Sequence, residues 1–334
     1  MRDRPVIGIT MGDAAGIGPE IIIKSLREVS LREKIRPVVI GDASVIRHTI
    51  DMLGDDTEVV DFTRNGKLQK NAIEMVNLKN LPDGLHMGRV SSTTGKAAGE
   101  YIEKAVELWK KGEIDAICTA PINKQSLGLG GYDFPGHTEF IAALTNTNEF
   151  AMSFFADKLR VVLLSTHLSL MDAIFFVKTD ALVALIDFTN RTLSRLLKRK
   201  VTIAVAGLNP HASENGMFGT EERDQIEPAI RKCLAGGIEV SGPYSPDTIF
   251  LRGYNGEFDV LIACYHDQAT IAVKSLSFGS AVNVTLGLPV IRTSVDHGTA
   301  FDIAGRGIAD ESSMKAAIGL AGDLIRPADK AETP

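Results

Sequence analysis

Short uninterrupted apolar runs, separated by amphipathic stretches, organise this chain. Val6 to Thr10, Pro37 to Asp42, Asp115 to Pro121, Arg160 to Ser165, Thr202 to Gly207 and Val260 to Cys264 each read as a strand, the last fitting a parallel-sheet strand covered on both faces. Between them apolar residues recur at three- and four-residue steps. Ala98, Tyr101, Ile102, Ala105, Leu108 and Trp109 mark a helix over Thr93 to Lys111, and Leu182, Leu185, Ile186, Leu193, Leu196 and Leu197 mark another over Asp180 to Lys200. A helix beginning near Pro19 runs through IIIKSL, and one from about Glu221 to Ala235 is stopped by Gly236 and Gly237. Ser280 to Ser294 is β-rich, while Asp51 to Leu85 is polar and weakly patterned. Strands alternating with helices predict an α/β fold in which parallel strands predominate.

In such folds ligands bind just past the carboxyl ends of strands, so the residues that end each run matter most. The run Val260 to Cys264 delivers Tyr265, His266, Asp267 and Gln268; Arg160 to Ser165 ends in Thr166 and His167; Thr202 to Gly207 leads to Asn209 and His211. A single histidine in such a place is ordinarily structural. Three at strand ends of one sheet point to a divalent ion on His167, His211 and His266, with Thr166, Asn209 and Asp267 fixing ring tautomers. Neutral imidazoles favour Zn, Co, Ni or Fe, and Mg or Mn fits if substrate oxygens complete the shell. Lys274, Arg292, His137, Thr138 and Asn283 supply the cations and donors that a phosphate and a carboxylate require. Four of them have a plainer reading: Lys274 and Arg292 as solvated charges, Thr138 as a helix cap, His137 as a surface residue. The glycine-rich MGDAAGIGPE, residues 11–20, fits neither the dinucleotide fingerprint nor the Walker A pattern and reads equally as a ligand loop or a tight strand-to-helix turn. Asp247 falls in a turn.

With 334 residues the chain is long for one core, and about two domains are expected. A net charge of -6 without a basic block argues against nucleic acid or an anionic membrane as partner. Cys118, Cys233 and Cys264 form no C-x-x-C pair and read as reduced thiols. The first residues lack a secretory apolar core and no apolar run approaches the roughly 20 residues of a membrane span, so a cytoplasmic protein is expected.

The motifs ITMGDAAGIGPE, PGHTEF, STHLSL, GLNPHASENGMFGTEE, PDTIF, YHDQ and NVTLGLPVIRTSVDHGTAFDIAGRG cover almost the whole chain. In them the chain resembles the 4-hydroxythreonine-4-phosphate dehydrogenase family of pyridoxal phosphate biosynthesis, with its paralogous branch acting on 4-phospho-D-threonate and 4-phospho-D-erythronate. The resemblance implies an isocitrate/isopropylmalate dehydrogenase-like fold with two α/β domains flanking a cleft, approximately 1–127 plus 281–334 and 128–280, the second carrying the interface of an obligate homodimer. It implies a divalent metal (Zn, Co, Mn or Mg) on His167, His211 and His266, one of them from the partner subunit. Substrate contacts fall on His137, Thr138, Lys274, Asn283 and Arg292, and an NAD site (NADP being the alternative) on Ser294 to Gly307, with Ser294, Asp296, His297, Gly298 and Thr299 as contacts. The implied reaction oxidises the 3-hydroxyl of a 4-phosphorylated hydroxy acid and decarboxylates the 3-keto acid, with Asp247 or Lys274 relaying the alcohol proton and Asp267 orienting His266. DFPGHTEF and ASENGMFGTEE lean towards phosphothreonate or phosphoerythronate, with 4-hydroxy-L-threonine 4-phosphate as the alternative substrate. A metal-dependent hydrolase without NAD and a non-catalytic phosphosugar sensor are the alternatives from other classes.

Overall fold

The computed structural model describes residues 4–66, 72–277 and 279–325. In chain order the strands are β1 (Val6–Thr10), β2 (Arg36–Gly41), β3 (Glu58–Asp61), β4 (Ala72–Asn77), β5 (Ala116–Thr119), β6 (Ala151–Ala156), β7 (Leu159–Leu163), β8 (Ile203–Ala206), β9 (Val240–Tyr244), β10 (Val260–Ala263), β11 (Val282–Leu286) and β12 (Ile291–Ser294). The chain divides into two compact units, residues 1–149 with 288–334, and residues 150–287. This division puts residues 128–149 with the first unit and 281–287 with the second.

In the first unit the strands lie in the order β3-β4-β2-β1-β5-β12, every adjacent pair parallel. The register sets Thr10 beside Thr119 and Thr119 beside Ser294, so three polar residues end adjacent strands on one rim. Every residue of β1, β2 and β5 is buried, the burial that uninterrupted apolar runs require. The polar Asp51 to Leu85 stretch conceals β3 and β4; β3, at the sheet edge, buries no residue fully, its ends exposed and its two central valines half-buried.

In the second unit the order is β11-β6-β7-β10-β8-β9. The β11–β6 and β6–β7 pairs are antiparallel, whereas β7, β10, β8 and β9 run parallel. Val260, Leu261, Ile262 and Ala263 of β10 are fully buried, and each of the larger three contributes about 1.5–3 kcal/mol through that burial. Leu261 and Ala263, on one face of the strand, pack with Phe154, Val161, Leu163, Ile249 and Phe250 in one apolar core. The stripe of the 180–200 pattern forms the helix Thr179–Leu197, which buries Leu182, Ile186 and Leu193 and ends at Lys198 in the left-handed conformation. Strands mainly parallel, with helices between them, make this the expected α/β fold.

Candidate active site

The topology of the second unit puts β10 between β7 and β8, pointing the same way as both. Leu163 pairs with Ala263, and Ile262 with Val205, so the three carboxyl ends lie level. His167, His211 and His266 follow these ends by four, five and three residues. Two side chains stitch the rim together, Ser165, which the sequence reading gave no role, and Gln268, which it placed at the strand end without a partner. Ser165 donates its hydroxyl to the Cys264 carbonyl (3.0 Å), tying the β7 exit to that of β10. Gln268 accepts from the Cys264 N–H (2.7 Å) and donates to the Gly207 carbonyl (2.8 Å), tying β10 to β8. Their spacing, two residues before or after a histidine, was the available signal.

His266 opens the helix His266–Ser277, and its Nδ1 lies 2.7 Å from Asp267 Oδ1. With the proton on Nδ1, that bond leaves the Nε2 lone pair for a ligand. The ring of His167 lies 5.9 Å from that of His266, centroid to centroid. His211 has Asp247 as its neighbour, with Nδ1 and Oδ2 3.9 Å apart. Among the described residues no group of three His, Cys, Asp or Glu side chains is close enough to hold a metal ion. Level strand ends thus bring the imidazoles of His167 and His266 together. The chemistry of the set suits a borderline divalent ion: imidazole nitrogen donors, half-buried to exposed, one with its other ring nitrogen already fixed.

Asp247 sits in the first turn of the helix Pro246–Tyr254, where the sequence suggested a plain turn; the Ser245 hydroxyl bond holds its carboxyl below the usual range. Asp267 and Lys274 are both exposed and seven residues apart on one helix, hence on one face. Asn283 is half-buried on β11, its Oδ1 buried without a hydrogen-bond partner.

In the first unit the plainer readings of three residues fail. Gly136, not Thr138, occupies the cap position of the helix His137–Leu144, and His137 is buried. Arg292, read singly as a solvated charge, is 3 % exposed on β12. Its Nη2 and Nε donate to Thr119 Oγ1 (2.7 and 3.2 Å), and Nη1 donates to Thr138 Oγ1 (3.4 Å). Burial lowers its pKa to about 10, opposed by Cys118 and Glu139. Burial, then the charge of Arg292, pushes the His137 pKa well below its ordinary value, and its Nε2 is buried without a partner. A cation held by hydroxyls, beside a neutral imidazole with an unmet ring nitrogen, has the makings of an anion site.

The MGDAAGIGPE segment proves to be a tight turn. Asp13 N–H donates to Pro121 O, Ala15 N–H to Asp13 Oδ1, Gly16 N–H to Asp13 O and Ile17 N–H to Thr299 O, so these donors are used internally. A Cβ on Gly16 would come within 2.9 Å of Thr299, which explains the glycine. That contact anchors the 294–307 segment. Lys24 secures its far end by donating to Gly307 O (2.9 Å) and Ala309 O (2.7 Å). Within it Ser294 donates to Thr119 O, Asp296 accepts from Ser313 Oγ, Thr299 is buried, Gly298 is exposed, and His297 keeps Nε2 buried and unpartnered. A cavity of about 390 Å³ opens beside this segment, lined by Pro19, His48, Met52, Met87 and Gly305 among others. The three cysteines are free and buried, and burial pushes the Cys118 and Cys264 thiols up to about 12, which removes them as nucleophiles. No helix among the described residues is long and apolar enough to cross a membrane.

Known proteins agree with this architecture along nearly the whole chain. A D-threonate 4-phosphate dehydrogenase of Cupriavidus necator is 47% identical over 96% of this chain and 97% of its own. A 4-hydroxythreonine-4-phosphate dehydrogenase of Desulforapulum autotrophicum is 45% identical over 96% and 95%. The crystal structure of a 4-hydroxythreonine-4-phosphate dehydrogenase from Klebsiella pneumoniae superposes with a TM-score of 0.89 at 41% identity, covering 96% of this chain and all of that one. The family model of the pyridoxal phosphate biosynthetic protein PdxA matches residues 33–321, and the chain belongs to that family.

Proposed function

We propose that this protein is a nicotinamide-dependent dehydrogenase of a 4-phosphorylated hydroxy acid, D-threonate 4-phosphate or its erythronate isomer, and that it decarboxylates the 3-keto acid it forms. The observation that carries this reading is the buried Arg292 with Thr138 and His137, an anion site built from donors, in a chain whose relatives are named for phosphorylated substrates. These three residues take an anionic oxygen group of the substrate, and Lys274 and Asn283 are further substrate contacts. The 294–307 segment, with Ser294, Asp296, His297, Gly298 and Thr299, binds NAD.

The substrate C3–H leaves as hydride to the nicotinamide while the hydroxyl proton passes to a base, Asp247 or Lys274. The resulting 3-keto acid is a β-keto carboxylate, so its C1–C2 bond breaks with loss of carbon dioxide and a proton is taken up at C2, leaving a three-carbon phosphorylated hydroxyketone. A divalent ion on His167, His211 and His266 supplies Lewis-acid stabilisation of negative charge in both steps. The protein's part is to orient the imidazoles, which Asp267 does for His266. One of the three imidazoles comes from a partner subunit, a reading that fits the lack of a ligand trio among the described residues. Supporting a homodimer, the helix Leu170–Phe176 that follows His167 exposes Leu170, Met171, Phe175 and Phe176 and buries only Ala173.

The test follows NADH absorbance with 4-phospho-D-threonate, 4-phospho-D-erythronate and 4-hydroxy-L-threonine 4-phosphate, before and after chelation. The highest kcat/KM is expected with phosphothreonate, lost on chelation and restored by Zn or Co. Preference for the amino acid substrate, the activity named for the Desulforapulum relative, would move the assignment to the pyridoxal phosphate branch. No NADH with any of the three would overturn the reading in favour of a hydrolase or a sensor.

A further inference from the structure

We infer that Glu222 is the positioning residue that holds His211 in place for metal binding, an inference that rests on the metal reading above. His211 stands at the start of an unusual backbone. His211, Ala212, Ser213, Glu214 and Asn215, none of them glycine, have φ of 52°, 51°, 67°, 45° and 57°. Each residue in that left-handed region is sterically disfavoured, so the turn persists only where its surroundings fix it.

The fixing group is the Glu222 carboxylate, 1 % exposed. Its Oε1 accepts from the main-chain N–H groups of both Leu208 and Asn209 (2.7 Å each), and its Oε2 accepts from Asn209 Nδ2 (2.9 Å). Buried charge is costly unless hydrogen-bonded, and three N–H donors meet that need. The turn is tied to the segment this carboxylate holds: Ala212 N–H donates to Asn209 O (3.1 Å), and a Cβ on Gly207 would lie 3.0 Å from Ala212 Cα and 3.2 Å from Glu222 Oε1. Glu222 itself begins a π-type turn, Glu222–Ile226, ahead of the helix Glu227–Ala235, where the sequence pattern predicts one regular helix. Such turns insert a residue and re-aim a side chain, and they concentrate at functional sites. Glu221 shares Asn209 Nδ2 (2.7 Å) but receives no main-chain bond from the 208–209 pair.

Co(II) is the probe, with its dissociation constant measured by chelator competition and its visible bands recording ligand geometry. Glu222→Ala is expected to weaken Co(II) at least ~10-fold and shift the bands, whereas Glu222→Gln, which keeps an acceptor for the two main-chain donors, stays within ~3-fold of wild type. A general loss of structure would not produce rescue by glutamine. If Glu222→Ala does not fold, Glu222→Asp retains the charge, withdraws the acceptor by one methylene and carries the same expectation as alanine. Wild-type affinity and bands in the alanine or aspartate variant, or equal loss in alanine and glutamine variants, would overturn the proposal. His211→Ala separates the two readings: if it binds Co(II) as wild type does, the metal assignment fails, and Glu222 has nothing to position.

Discussion

Arg292 Nη2 donates to Thr119 Oγ1 at 2.7 Å, so a guanidinium on β12 is held by a hydroxyl at the end of neighbouring β5. The bond fixes the plane of a cation that is otherwise wrapped in protein. Thr119→Val removes the acceptor for both Nη2 and Nε while keeping the shape, and costs about 1–3 kcal/mol of stability because charged donors are left unmet. Arg292→Lys keeps the charge and loses the fork, and is expected to lower kcat/KM for the phosphorylated acid about 100-fold. Steady-state kinetics with phosphorylated and dephosphorylated substrate checks the assignment: an equal loss on both would remove Arg292 from phosphate recognition.

His137 is held neutral, burial being the main cause and Arg292 the second. The folded protein therefore resists protonating this ring, while the unfolded chain takes up the proton near pH 6.5. Below that value the unfolded state binds more protons, so the contribution of His137 to stability is constant above about pH 6.5 and is lost as the pH drops further. His137→Gln should flatten the decline between about pH 6.5 and 5. Thermal melts of both proteins across that range give the difference directly, and parallel curves would mean that His137 titrates normally.

The level strand ends were legible because a strand covered on both faces must be apolar throughout and can turn polar only where it leaves the sheet; β7, β8 and β10 do so just before His167, His211 and His266. The α/β class followed from the same alternation. Burial of His137 was not legible, since Gly-His-Thr after a proline reads as an ordinary helix start, and nothing local shows that Arg292 of β12 will lie beside Thr138. The left-handed turn at His211 was hidden more deeply. PHASEN contains no glycine to announce it, and the group that enforces it, Glu222, lies eleven residues on in what looks like uniform helix. Whether three such side chains cluster depends on three-dimensional placement, which strand ends do not determine; among the described residues none do.

Gln268 links β10 and β8 through the Cys264 N–H and the Gly207 carbonyl. Gln268→Leu matches the volume but leaves both main-chain groups without that partner, at about 1–3 kcal/mol for the buried pair. In a unit spanning residues 150–287 that lowers Tm by roughly 3–10 °C. Because Gln268 holds the exits that carry His266 and His211, Co(II) affinity should fall as well. Differential scanning fluorimetry with a chelator competition separates the two effects, and a Tm loss with unchanged affinity would confine Gln268 to the scaffold.

Phe175 stands 63 % exposed on the helix Leu170–Phe176, three residues downstream of Asp172 and eight beyond His167. A phenylalanine so exposed, beside Met171 and Phe176, contributes to an apolar surface that monomers seldom leave to water. If a second copy covers it, Phe175→Asp puts a desolvated charge in that interface, a change that disperses obligate dimers while leaving the exposed helix of the monomer soluble. The variant is expected to elute as a monomer in size exclusion with light scattering, to retain its secondary structure by circular dichroism, and to bind Co(II) at least ~10-fold more weakly because the trio is no longer completed. A folded monomer with wild-type Co(II) affinity and turnover would show that one chain suffices, and the shared site would have to be abandoned.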